Sequence, residues 1–243
     1  MFFLCYAVVT SKKHTRKGKN TLNIGYQLGP DFRRPDPALI AQFSGIPVPN
    51  IGDCMNRTAA ISSAIASVNG VRMQGCAYTV RVPAGDNLLF YYAIDNANPG
   101  DIIVVDGGGF TERALCGEIM AALAEKRGLA GFVIDGAIRD KAEIREMDFP
   151  VFCRAFTPNG PYKNGPGETN VPVNIGGRII HPGDILIGDE GGLVSFSPNQ
   201  AEELLEKAHA VMKKEAGIMK HIEETASMDL TWMYDKLKAE GVL

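Results

Sequence analysis

Two acids and a guanidinium carry the strongest chemical signal in the 243-residue chain: Gly117-Glu118 is followed, after twenty intervening residues, by Arg139-Asp140. The second pair closes the run Asp135-Gly136-Ala137-Ile138-Arg139-Asp140, just past the apolar stretch Phe132–Asp135. α/β proteins gather functional groups in the loops beyond the carboxyl ends of such buried strands. A guanidinium held there can neutralise negative charge that develops during a reaction. A competing reading needs no ligand: Asp140 and Glu143 have the D-x-x-E spacing of a helix-start capping box. A third acid stands apart. The stripe Leu204, Ala208, Val211, Glu215, Ile218 and Ile222 repeats at helical spacing, with Glu215 in the middle of the apolar seam. An acid is costly to bury unpaired, so either the helix is exposed there or Glu215 reaches a polar site, a neighbouring subunit's included.

Other chemistries lack their residues. Gly107-Gly108-Gly109 follows a strand, but Glu112 occupies the third glycine position of a dinucleotide fingerprint, and no phosphate-loop motif occurs. There is no G-x-S-x-G elbow and no H-E-x-x-H, and the four histidines are not spaced as a metal pair. Cys116 near a helix start reads as a packing cysteine rather than an activated thiol. Arg113 reads as a surface arginine at a helix start, the alternative being contact with a second carboxylate of a substrate.

The elements that must position these groups alternate between strand-like and helix-like from Pro35 onward, the pattern of a mixed α/β domain. Strands are expected at Gly75–Val82, Ile102–Asp106, Phe132–Asp135 and Val151–Ala155, and helices at Asn87–Asn96, Arg113–Arg127 and Asp140–Glu146. In the second helix Leu115, Ile119, Ala122 and Leu123 would face the core. The Pro- and Gly-rich segment Thr157–Asn170 reads as a long loop. Four short strands follow, at Val171–Ile175, Arg178–Ile180, Asp184–Ile187 and Leu193–Phe196. Ser197 and Pro198 then open a long helix. Pro99-Gly100-Asp101 and Pro182-Gly183-Asp184 each lead into an apolar strand, which reads as shared turn chemistry rather than duplication. The domain is expected over residues 35–225, with a poorly ordered extension at 1–34 and a helical tail at 226–243.

Composition excludes several partners. Residues 1–20 hold five basic side chains and no acid, leaving 20 basic against 28 acidic groups in the rest, an unsuitable balance for nucleic acid. Met1 to Val9 are apolar but precede the basic run, the reverse of a signal peptide, and are too few to span a bilayer, which takes roughly 20 residues. The five scattered cysteines include no C-x-x-C, which suits reduced thiols and a cytoplasmic setting.

The ordered set Gly85-Asp86-Asn87-Leu88, Pro99-Gly100-Asp101, Gly117-Glu118, Gly131 to Asp140, Pro172-Val173-Asn174, Gly176-Gly177, Pro182-Gly183-Asp184 and Gly188-Asp189 resembles the RraA-like family over residues 45–225. That family includes the 4-hydroxy-4-methyl-2-oxoglutarate / 4-carboxy-4-hydroxy-2-oxoadipate aldolases and the regulators of ribonuclease E activity. The resemblance implies an α/β/α swivelling-type domain with a mixed sheet and C-terminal helices, assembled as homotrimers or homohexamers with sites between subunits. It implies a metal-dependent pyruvate aldolase with oxaloacetate decarboxylase side activity, acting on small 2-oxo acids. Asp140 would ligate Mg²⁺ or Mn²⁺, with Glu118 acting through a water ligand. Arg139 would contact the keto acid, and backbone N–H groups around Gly117, Ile119 and Met120 would hold its carboxylate. Glu215 is matched to an acid used across the subunit interface. The same resemblance carries a rival implication, a non-enzymatic regulator of RNA processing.

Overall fold

The computed structural model describes residues 24–243; the apolar and basic leader expected at residues 1–20 lies outside the described residues. In chain order the elements are β1 (Tyr26–Leu28), α1 (Pro37–Ala41), α2 (Val48–Cys54), β2 (Ala66–Ser67), β3 (Met73–Arg81), α3 (Leu88–Asn96), β4 (Asp101–Asp106), β5 (Ala114–Cys116), α4 (Glu118–Lys126), β6 (Gly131–Ile138), α5 (Lys141–Arg145), β7 (Val151–Phe156), β8 (Gly167–Thr169), β9 (Val173–Ile175), β10 (Arg178–Ile180), β11 (Ile185–Asp189), β12 (Gly192–Phe196), α6 (Ala201–Thr225) and α7 (Thr231–Ala239).

The main sheet runs β1-β8-β3-β4-β6-β7-β2, with β3, β4, β6 and β7 parallel. β11 pairs antiparallel with the start of β3 and with β12, so the sheet is mixed. The central strands are nearly continuous apolar runs because both faces are covered. Alternation along β4 shows it: Ile103 and Val105 pack with α3 and α4 residues such as Phe90, Ile94 and Ala121, while Ile102 and Val104 pack with Val173, Ile175 and Leu186 on the other face. A third cluster joins Ile51 of α2 and Leu204, Leu205 and Ala208 of α6 to Ile187 and Phe196. The two Pro-Gly-Asp turns are alike in detail: Gly100 and Gly183 have φ of 86° and 91°, and Asp101 and Asp184 each accept from the backbone N–H three residues earlier.

Three expectations need correction. The segment Arg113–Arg127 is not one helix: Ala114–Cys116 form β5 beside the end of β6, and α4 starts only after Gly117. Pairing with β6 outweighs helix propensity there, because it buries Leu115 and Cys116 completely enough to leave 1% and 2% exposed. The face of α4 changes as well: Met120, Ala121 and Ala124 point inward, and Ile119 is 73% exposed. Residues 24–34 are built into the body: β1 pairs with β8, itself a strand within the expected loop, and Arg34 bonds the buried Asp101. The tail is helical from Thr231 to Ala239, and no residue of α7 is buried.

Candidate functional site

The end of β6 and the start of α4 meet where β5 runs alongside β6. Arg139 N–H donates to Cys116 O at 3.0 Å, which ties the two segments together. The next residue, Asp140, sits in the left-handed region at φ 56°, ψ 46°. That conformation is disfavoured for a residue with a side chain, and such residues cluster at functional sites. Its carboxylate does not cap α5. Oδ2 instead accepts from the backbone N–H of Glu118 at 3.0 Å, and Arg139 Nε lies 3.5 Å from it. The capping-box reading of Asp140 and Glu143 is therefore not realised. The αL turn swings the carboxylate away from its own helix and onto the N-terminus of another.

Gly117 makes this approach possible. Its backbone is extended, so no positive φ demands glycine. The requirement is steric: a Cβ here would overlap Asp140 Oδ2 and lie 3.1 Å from both Cγ and Nε of Arg139. Among the first amides of α4, Glu118 N–H is taken by Asp140, and Met120 and Ala121 N–H bond to Gly117 O. Ile119 N–H makes no hydrogen bond among the described residues. It is therefore a donor left to meet an anion at this positive helix end. Of the amides expected around Gly117, Ile119 and Met120, that of Met120 bonds within the chain.

Gly117, Ile119, Met120, Arg139 and Asp140 line a pocket of about 230 Å³ together with Asn87, Tyr91, Gly160 and Lys163. Arg139 and Asp140 form its rim and also border a second depression lined by Lys141, Phe156 and Thr157. Arg139 is 44% exposed and spends no guanidinium N–H on a hydrogen bond. Lys163, a residue the sequence analysis did not single out, supplies a second cation, its Nζ 5.2 Å from the centre of the Tyr91 ring. Asn87 is buried, donates to Leu115 O at 2.9 Å, and leaves its Oδ1 without a partner. The Gly85-Asp86-Asn87 run was the only signal for it.

Other candidates fall elsewhere. Glu215 is exposed and accepts from Asn50 Nδ2 at 2.6 Å, joining α6 to α2; within one chain it does not line the pocket. Arg113 precedes β5, donates to Gly160 O at 3.1 Å and stacks 4.2 Å from the Tyr162 ring centre, so it braces the loop that closes the pocket. Burial pushes the Cys116 thiol up, and it bonds to Gly117 O, which makes it a packing group.

Among the described residues no group of three or more His, Cys, Asp or Glu could cage a metal ion. The donors at the pocket fit a different kind of ion. Asp140 lines the pocket and its Oδ1 makes no hydrogen bond among the described residues; Glu118 is exposed at the start of α4, outside the pocket lining, and its carboxylate is likewise uncommitted. A hard cation that keeps most of its water needs only one or two such carboxylates. No helix among the described residues is long and apolar enough to cross a membrane.

Comparison with known proteins places this geometry in context. The family model described as "RraA-like: Aldolase/RraA" matches residues 48–195. A Halalkalibacterium halodurans protein named "Putative 4-hydroxy-4-methyl-2-oxoglutarate aldolase" is 41% identical over 170 residues, 70% of this chain and 81% of that protein. A Thermus thermophilus 4-hydroxy-4-methyl-2-oxoglutarate aldolase is 36% identical over 146 residues, 60% of this chain and 88% of that one. The solved structure of the RNA-processing inhibitor RraA from the same genus superposes with a TM-score of 0.58 at 33% identity, covering 63% of this chain and 92% of that chain.

Proposed function

Because this chain belongs to the RraA-like family, we propose that it is a pyruvate aldolase cleaving 4-hydroxy-2-oxo-dicarboxylates such as 4-hydroxy-4-methyl-2-oxoglutarate, with oxaloacetate decarboxylation as a side activity. The observation that carries the reading is the left-handed Asp140, turned away from its own helix and held beside Arg139 and the N-terminus of α4. The relatives' names support the reaction class.

In this reading the substrate's keto acid lies against Arg139, and its carboxylate takes the open Ile119 N–H. As the C4 hydroxyl gives its proton to water and becomes a carbonyl, the C3–C4 bond breaks. Its electron pair leaves negative charge on the pyruvyl oxygen as an enolate, which a proton from water at C3 converts to pyruvate. Arg139, whose backbone is tied to Cys116 and whose guanidinium N–H groups are uncommitted, would offer its cation to that charge. Asp140, with Glu118 through water, would hold Mg²⁺ or Mn²⁺, which when bound supplies Lewis acidity beside the same oxygen. Lys163 faces the pocket from the opposite loop and offers a cation for the second carboxylate.

Assembly into trimers or hexamers is part of the proposal. Leu88 and Tyr92 on α3, and Ile119 and Leu123 on the adjacent α4, are i,i+4 pairs of exposed apolar side chains, and Ile119 among them lines the pocket. A second copy seated there would dry its mouth. Glu215 acting across an interface belongs to the same proposal. Pyruvate release from 4-hydroxy-4-methyl-2-oxoglutarate, followed with Mg²⁺ or Mn²⁺ and with a chelator, tests the reading; no pyruvate under any condition defeats it. The likeness to an RNA-processing inhibitor supports one second reading, a protein-binding regulator. That reading predicts a stable oligomer that releases no pyruvate.

A further inference from the structure

The pocket's outer wall is a loop held from two sides. Asp86, 3% exposed, sits on the inner side; its Oδ2 accepts from Asn164 N–H at 2.6 Å and Gly165 N–H at 3.0 Å. Backbone bonds Tyr162 N to Gly85 O and Asn87 N to Tyr162 O fix the same stretch to the body. On the outer side lies a segment that precedes the family-matched residues 48–195 altogether. Tyr26 Oη donates to Asn164 O at 2.8 Å. Its ring lies against Gly165, where a Cβ would come within 2.5 Å of Oη and 2.8 Å of Cε1. Gly167 N–H bonds Gly25 O, Gly29 N–H bonds Thr169 O, and β1 pairs with β8 between them. The peptide joining the loop to its anchor is thus gripped by a carboxylate on its N–H groups and a phenol on its carbonyl. Gly160, Pro161 and Lys163, which line the pocket, lie within four residues of that grip.

We propose that residues 24–29 are a strap and that Tyr26 is a positioning residue, setting the pocket's affinity for its ligand by holding the Gly160–Lys163 wall in place. The proposal rests on the pocket being the ligand site described above, and it adds a control that the family-matched region does not contain. Tyr26 touches no reacting atom. Its effect should appear in binding rather than in the chemical step, since the groups at Arg139 and Asp140 are held by β5 and β6 and not by the strap.

The test uses the full chain with Tyr26→Phe, which keeps the ring and removes the hydroxyl, and Tyr26→Ala, which removes both. Three quantities are read: KM and kcat for oxaloacetate with Mg²⁺, calorimetric affinity for oxalate with Mg²⁺, and amide hydrogen exchange over residues 159–166. Losing one exposed neutral hydrogen bond should raise KM and weaken oxalate about threefold in Tyr26→Phe, and about tenfold in Tyr26→Ala, with kcat within about twofold. Exchange at Asn164 and Gly165 should speed up in the same order. A lowered Tm with unchanged KM, oxalate affinity and exchange would show that Tyr26 only packs a sheet edge, and would overturn the proposal. So would a fall in kcat at constant KM. If the parent releases no pyruvate, the aldolase reading fails by itself, while oxalate affinity and exchange still decide the strap.

Discussion

Gly117→Ala is the substitution whose consequence follows most directly from the geometry. The alanine methyl has no backbone penalty to meet, because Gly117 is extended. It does meet the Asp140 carboxylate, and behind it Arg139 Cγ and Nε at 3.1 Å. Asp140 must move, and it then loses the 3.0 Å bond from Glu118 N–H. Charge-assisted bonds contribute about 1.5–3 kcal/mol, but this carboxylate is 34% exposed, so water recovers part of it and about 1 kcal/mol is the expected stability loss. For a chain of this size that lowers Tm by about 2–4 °C. Activity should suffer far more, since displacing a reactive group by about 1 Å costs on the order of a hundredfold. Thermal unfolding and coupled pyruvate release read the two effects. Asp140→Gly removes the obstructing carboxylate, so adding Gly117→Ala to it should cost little further stability. A Gly117→Ala protein with parental activity, or strict additivity in the double variant, would refute the steric argument.

Further outcomes are expected elsewhere. Asp135, 5% exposed, accepts from Arg154 Nε at 2.6 Å and Gly176 N–H at 2.8 Å, so Asp135→Ala should cost about 2 kcal/mol, seen as a Tm lower by about 5 °C; a change under about 1 °C would remove its role as the strut of the β9–β10 hairpin. Leu123→Asp should reduce the assembled mass in sedimentation, and an unchanged mass would exclude the α3–α4 patch as an interface. Burial pushes the Cys76 and Cys153 thiols from an ordinary value of 9.0 up to about 12. Between those values the unfolded chain has released protons that the native one retains, so stability should fall as pH rises from 9. Denaturant midpoints at pH 8 and pH 10 check the sign, and a midpoint that rises would contradict it.

How much of this was legible in the sequence depends on the range of the interaction. β4 and β6 announce themselves as apolar runs because each is buried on both faces, and the Pro-Gly-Asp turns because their hydrogen bonds close within three residues. That Glu118 and Asp140 share one site was implied by the family resemblance rather than by their spacing. The αL turn that joins them was not legible, since capping and ligand placement use the same residue types. β5 was read as helix because its pairing with β6 is nonlocal. Lys163 and the Tyr26 strap left no periodic signal, for both depend on a loop pinned by Asp86, 78 residues earlier than Asn164.

The central claim is that Arg139 and Asp140 together form the reactive end of a pyruvate-releasing pocket. Its most direct test is pyruvate release from 4-hydroxy-4-methyl-2-oxoglutarate by the parent and by Asp140→Asn, with Mg²⁺ or Mn²⁺ present. Asparagine tolerates the left-handed conformation and preserves the shape, so the variant should fold with a Tm near that of the parent. The account predicts metal-dependent pyruvate release by the parent and a loss of at least about a hundredfold in the variant. A folded Asp140→Asn protein that releases pyruvate at the parental rate would contradict it.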